Sequence, residues 1–155
     1  MLSLRVERWL PYCCEQLFDL AADVEHYPEF LRWWIAARIR RREDSAYYTD
    51  QVLGLGPLRI RFGSKTVLHR PERIDVTSDE PPFRQFRLAW IFEPEMGPGC
   101  KVSLVAEINF RSRLLQRVAE HALSGAIAGI IDAFEARARR LCVTVEQPIE
   151  SAPRR

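Results

Sequence analysis

Three long stretches in the second half of the chain alternate apolar and polar residues with a period of two, and this alternation constrains the fold more than any other feature. In "PLRIRFGSKTVLH", Leu58, Ile60, Phe62 and Leu68 oppose Arg59, Arg61, Lys65 and His69. In "FRQFRLAWIFEP", Phe86, Leu88, Trp90 and Phe92 oppose Gln85, Arg87 and Glu93, and in "CKVSLVAEINF" Val102, Leu104, Ala106, Ile108 and Phe110 oppose Lys101, Ser103, Glu107 and Asn109. Such a pattern belongs to a sheet that is wet on one face and buried on the other. Further strand patterns at 2–9, 35–43, 46–54 and 72–78 extend the same sheet, which is antiparallel because turn residues rather than crossover helices separate its strands. Residues 112–141 contain no proline and read as one uninterrupted helix, with the stripe Leu115, Val118, Ala122, Ile127, Ile130 and Phe134 as cover for the apolar face. The fold class expected is α+β, with helices at both ends of a curved antiparallel sheet.

A chain of 155 residues builds one core, and we expect a single domain over 1–142 with a frayed tail over 143–155. Its apolar runs fall short of the roughly 20 residues that span a bilayer. The start, "MLSLRVERWLPY", is a charged strand rather than a signal peptide, so a cytoplasmic location, peripheral to the membrane at most, is the expectation. Cys13, Cys14, Cys100 and Cys142 show neither metal-ligand spacing nor the density of a secreted disulfide scaffold, and we expect reduced, partly buried thiols. Positive charge is almost all arginine, Lys65 and Lys101 being the only lysines. Arg38, Arg40 and Arg42 fall on one face of their strand by parity, which makes a solvated face or a grip for phosphate.

The stretch "DVEHYPEFLRWW" gathers Tyr27, Pro28, Phe30, Leu31, Trp33 and Trp34 just after the first helix, "CCEQLFDLAADV". Pro28 favours the first turn of a second short helix. The aromatic residues either wall the mouth of a cavity or plug the end of the core. Ala119, Ala122, Ala126, Gly129 and Ala133 form a small-residue ridge on the C-terminal helix, which either allows close packing on the sheet or leaves room for a guest.

"YCCEQLFDLAADVEHYPEFLRWW", together with "RFGSKTVL", "PPFRQFRLAWIFEP", "FRSRLL" and "DAFEARA", resembles the START-like coenzyme Q-binding and oligoketide cyclase/lipid-transport family, which includes a bacterial ribosome-association toxin. Two positions depart from the family pattern, Pro81 before Pro82-Phe83 and Arg32 before the first tryptophan. The resemblance implies a helix-grip fold with an internal apolar cavity, and non-catalytic transport of a hydrophobic ligand, an isoprenoid quinone. The quinone tail needs an apolar groove and its carbonyls need one or two donors. Candidate ligand contacts are Tyr27, Phe30, Leu31 and Trp33 at the mouth, with Ser64 and Thr66 as polar breaks beside Phe62. Trp90, Ala122, Ala126 and Phe134 line the remaining wall. Apolar Leu53 and Leu55 in the Gly-rich hairpin "VLGLGPL" either touch a membrane or pack inward.

Two other classes stand beside the carrier. Asp23, Glu25, His26 and Glu29 with Tyr27 make an acid–base set for a polyketide aromatase/cyclase-like enzyme, though no nucleophile, base and orienting group occur at recognisable spacing. A ribosome-binding protein would instead depend on exposed Arg38, Arg40, Arg42, Arg59, Arg61 and Arg87. No catalytic residue, metal, cofactor or DNA partner is expected.

Overall fold

The structure, a computed structural model, describes residues 2–95, 97–123 and 125–142; the side chain of Ile127 and the expected tail at 143–155 lie outside the described part. Strand β1 (Leu2–Leu10) leads into helix α1 (Cys14–Ala22) and a short 3₁₀ helix (Val24–Glu29). Strands β2 (Trp34–Glu43), β3 (Ala46–Leu55), β4 (Leu58–His69), β5 (Arg73–Ser78), β6 (Phe83–Pro94) and β7 (Cys100–Phe110) follow, then helices α2 (Arg113–Leu123) and α3 (Ala126–Leu141). All seven strands form one antiparallel sheet in the order β1-β7-β6-β5-β4-β3-β2. Hairpins explain the sequential run, and β1 closes the far edge by pairing with the last strand.

The parity read from the sequence sets the faces. Ile60, Phe62, Phe86, Leu88, Trp90, Phe92, Val102 and Leu104 are buried, while Arg59, Arg61, Lys65 and Arg87 are exposed. Ring contacts run through the core from α1 to α3: Phe18 meets Phe92 at 5.7 Å, Phe92 stacks on Trp90 at 6.4 Å, and Trp90 meets Phe134 at 4.7 Å between centroids. A second cluster joins Phe62, Phe83, Phe86 and Phe110, with centroids 4.9–5.1 Å apart. Burying each such ring contributes about 1.5–3 kcal/mol; the first cluster holds α1 and α3 to the sheet, and the second joins β4, β6 and β7 within it. Among the described residues, no helix is long and apolar enough to cross a membrane.

Four expectations need correction. The C-terminal helix is not continuous: Gly125 adopts φ +85°, a left-handed conformation that glycine takes without a Cβ clash, and it separates α2 from α3. With that break Val118 faces solvent, and Ala119 takes the buried position instead. Arg38, Arg40 and Arg42 do not share a face, because a register shift between Ile39 and Arg41 turns Arg42 onto the side of Tyr47. Leu53 and Leu55 are buried in the core rather than offered to a membrane, since the inner phase of β3 carries them. Finally, Cys14 and Cys100 are joined in a disulfide with Cα atoms 5.4 Å apart, while Cys13 and Cys142 remain free. The spacing of 86 residues hides this pairing in the sequence; the fold creates it by setting the start of α1 against the start of β7.

Candidate functional site

The inner face of β3 is polar where an apolar face is expected. Leu53 and Leu55 fix its phase, and the same phase brings Tyr47, Thr49 and Gln51 inward, opposite Thr66, Ser64 and Phe62 of β4. Of the five buried polar side chains among the described residues, Thr49, Gln51, Ser64, Thr66 and Ser103, four therefore share one patch of the sheet. A buried polar group costs about 1–3 kcal/mol unless it is paired, so their concentration calls for partners. Trp34 Nε1 donates to Gln51 Oε1 at 2.6 Å, and Gln51 Nε2 donates to Ser64 Oγ at 2.7 Å. Beyond Ser64 the β4 edge is held by side chains, Ser78 Oγ donating to Gly63 O at 2.6 Å and Gly63 N to Glu80 Oε1 at 2.8 Å. This fixes the backbone that aims Ser64 inward.

Two tyrosines complete the patch. The Tyr47 hydroxyl donates to Ala22 O at 2.8 Å and the Tyr27 hydroxyl donates to Ala21 O, so both tie down the last turn of α1. Burial, with a smaller contribution from Tyr47, holds the Tyr27 phenol well above its ordinary pKa, and burial does the same for Tyr47. Both remain protonated donors at neutral pH. The unfolded chain releases these protons near pH 10 and the folded chain does not, so stability is intact below pH 10 and falls above it. The expected slope is about 1.4 kcal/mol per pH unit for each tyrosine. Denaturant midpoints between pH 8 and about 11 check this, and Tyr27→Phe should remove one proton's share of the slope.

Two buried atoms in this region find no hydrogen bond among the described residues, Thr49 Oγ1 and Trp90 Nε1. The indole N–H lies near enough to the Tyr27 oxygen to favour its phenolate, yet makes no hydrogen bond of ordinary geometry. Neither Thr49 nor Trp90 lines the small cavity of about 20 Å³ in the same part of the core, which is bordered by Tyr27, Trp34, Tyr47, Gln51, Thr66, Phe86 and Leu88 among others. It has room for one water and falls short of the roughly 300 Å³ from which ligand pockets begin. The internal apolar cavity that the resemblance implies is, in this structure, too small for a quinone.

Of the aromatic stretch, Tyr27 and Trp34 line this cavity, whereas Phe30 and Trp33 hold the segment to α3. Trp33 lies over α3 so tightly that a Cβ at Gly129 would be 2.6 Å from its ring, which explains the glycine in the small-residue ridge. Arg32 covers the outer side of the same ring at 5.0 Å. Phe30 sits under the Arg137 guanidinium at 5.1 Å, and Arg137, only 12% exposed, pairs with Glu29 at 3.0 Å. Leu31 is fully buried. Segment 29–33 is therefore clamped to α3.

Among the residues expected to touch a ligand, the structure gathers Tyr27, Ser64 and Thr66 at the polar patch, with Trp90 behind Tyr27. Phe30 and Trp33 lie against α3 and Leu31 is buried, away from the small cavity, while Phe62 and Phe134 belong to the aromatic clusters and Ala126 to the buried start of α3. Ala122 packs on the core from α2. Trp34, read with the other aromatics as a wall residue, does line the cavity, whereas Tyr47, Thr49 and Gln51 were missed; the phase of "AYYTDQVLGL", once anchored on Leu53 and Leu55, carries the signal for them. The acid–base set lies elsewhere: Asp23, Glu25, His26 and Glu29 are exposed and line none of the cavity. Asp23 sits at the end of α1 and the start of the 3₁₀ helix and caps both through its backbone, while its side chain pairs with His26 at 2.7 Å, which raises the His26 pKa. Larger depressions of about 410 and 340 Å³ indent the outer face of the sheet, the first bordered by Arg40, Lys65, Arg84 and Arg87.

The comparisons with known proteins agree with this architecture. The ribosome association toxin RatA of Pseudomonas aeruginosa is 30% identical over 132 residues, covering 85% of this chain and 92% of that protein. The mitochondrial coenzyme Q-binding protein COQ10 homolog B of Xenopus laevis is 23% identical over 147 residues, covering 92% of this chain and 60% of its own. The solution structure of an 18 kDa protein from Caulobacter crescentus superposes with a TM-score of 0.74 at 32% identity, covering 91% of this chain and 98% of that one. The family model described as polyketide cyclase / dehydrase and lipid transport matches residues 10–135, and the chain belongs to that family.

Proposed function

We propose that the chain binds a hydrophobic small molecule with carbonyl acceptors, an isoprenoid quinone, and carries it without covalent chemistry. The observation that supports this reading most is a small cavity bordered by the polar side chains Tyr27, Tyr47, Gln51 and Thr66 in a core that also buries two donors without a hydrogen-bond partner among the described residues, Thr49 Oγ1 and Trp90 Nε1. A quinone carbonyl would satisfy a donor that now costs about 1–3 kcal/mol, and each tail methylene buried would add about 0.8 kcal/mol. The name of the Xenopus relative points the same way. Because the cavity is smaller than the guest, binding requires the core around Tyr27, Trp34 and Tyr47 to open. Titration with a short-chain quinone, followed by tryptophan fluorescence, should give saturable quenching, whereas an isoprenoid hydrocarbon without the ring should bind more weakly. Equal affinity for both, or no saturation, overturns the reading.

A second reading, association with the ribosome, is supported by the similarity to the Pseudomonas toxin and by exposed Arg38, Arg59, Arg61 and Arg87 on the outer face. Its mark would be salt-sensitive co-sedimentation with ribosomal subunits that charge reversal at Arg59 and Arg61 abolishes.

A further inference from the structure

Helix α2 carries two apolar stripes, and only one of them has work inside the molecule. Leu115, Ala119 and Ala122 follow each other by three or four residues and pack on the core, Ala119 being fully buried. Leu114 and Val118, also four apart, point away from it: Leu114 is 73% exposed and Val118 36%. Arg113 and Arg117, four apart and exposed, run alongside that second stripe on the outward side. The outer face of α2 is thus apolar and cationic at once. A helix just 11 residues long that exposes a leucine between two arginines spends solvation free energy with no intramolecular return.

We propose that this face of α2 docks on the surface of an anionic phospholipid bilayer, with Leu114 and Val118 entering the acyl boundary and Arg113 and Arg117 meeting the lipid phosphates. Charge and apolarity together select the partner. A nucleic acid offers the phosphates but no apolar layer for Leu114, and a second copy of the chain would set Arg113 and Arg117 against their own kind. The placement also suits delivery. Helix α2 packs on β3, whose Gly54 N donates to the Trp33 carbonyl at 2.8 Å, and Gly125 separates α2 from the α3 segment that Trp33 covers. Docking therefore brings the clamped segment 29–33 to the membrane where a lipid-soluble guest resides. The inference rests on the ligand-binding reading for its purpose, and its surface is distinct from the Leu53–Leu55 hairpin that the core has absorbed.

The full chain should co-sediment with vesicles of phosphatidylcholine containing about one third phosphatidylglycerol and should stay in solution with phosphatidylcholine alone. Leu114→Glu should weaken that binding about tenfold, and Arg113→Ala with Arg117→Ala about thirtyfold, with thermal stability unchanged because these side chains are exposed. Arg84→Ala, exposed on β6, should bind as the parent does. Absence of the parent from the anionic vesicles, or equal pelleting of Leu114→Glu, overturns the proposal. A parent dimer that Leu114→Glu dissolves also overturns it, giving the face to a second copy. Short-chain quinone titration of the same variants separates the two readings: unchanged quinone affinity in Leu114→Glu supports docking as a separate function of α2. Vesicle binding by a parent that takes no quinone leaves docking standing while the ligand reading falls.

Discussion

Trp90→Ala should lower the free energy of unfolding by about 3–5 kcal/mol, the cost of emptying a large aromatic site in a packed core. The ring is buried between Phe92, stacked at 6.4 Å, and Phe134 at 4.7 Å, so the neighbours that would have to collapse belong to both β6 and α3. Trp90→Phe separates packing from chemistry. It keeps an aromatic ring against Phe134 and removes the unpartnered N–H, whose burial costs about 1–3 kcal/mol, so the loss of stability should be less than half that of alanine. If Trp90 Nε1 serves a ligand carbonyl, the same phenylalanine variant should bind quinone about fivefold more weakly, a hydrogen bond of about 1 kcal/mol. Urea unfolding and quinone titration of the two variants check both parts. Undiminished quinone affinity in Trp90→Phe would reduce the indole to core filling.

Breaking the Cys14–Cys100 link should be the other large effect. The bond joins residues 86 apart and so removes conformational entropy from the unfolded chain; losses of about 2–4 kcal/mol are typical, and at this chain length they lower the melting temperature by about 5–15 °C. Thermal melts with and without reductant measure this. Alkylation of the unfolded, unreduced protein should label Cys13 and Cys142 alone, and labelling of all four cysteines would remove the disulfide from the account.

The sheet was legible because one face is dry: alternation in β4, β6 and β7 sets both strand identity and orientation, and the burial of Phe62, Trp90 and Leu104 follows from it. The helix break was not read because attention to proline passes over glycine, and only the left-handed φ of Gly125 reveals it. The candidate site was half legible. Ser64 and Thr66 stood out as polar breaks in an apolar phase, whereas Thr49 and Gln51 lie in a strand whose sequence looks polar throughout, so nothing marks them as inward until Leu53 and Leu55 set the phase. Trp33 and Trp34, adjacent in sequence, part company in space: one lies against Gly129 on α3, the other donates to Gln51. Adjacent residues at the start of a strand take opposite faces, so the aromatic stretch is clamp and polar wall at the same time. The disulfide depends on tertiary approach alone, which no spacing encodes.

The central claim is that the small cavity lined by Tyr27, Trp34 and Tyr47 opens to hold a quinone. Solvent extraction of freshly purified protein, followed by mass spectrometry and quinone absorbance against an unrelated protein carried through the same steps, tests it most directly. The account predicts an isoprenoid quinone approaching one per chain, recovered in lower yield from Trp90→Phe. An extract that matches the unrelated protein, before and after incubation with quinone-loaded liposomes, would contradict it and turn the polar patch of β3 and β4 into a purely structural feature of the core.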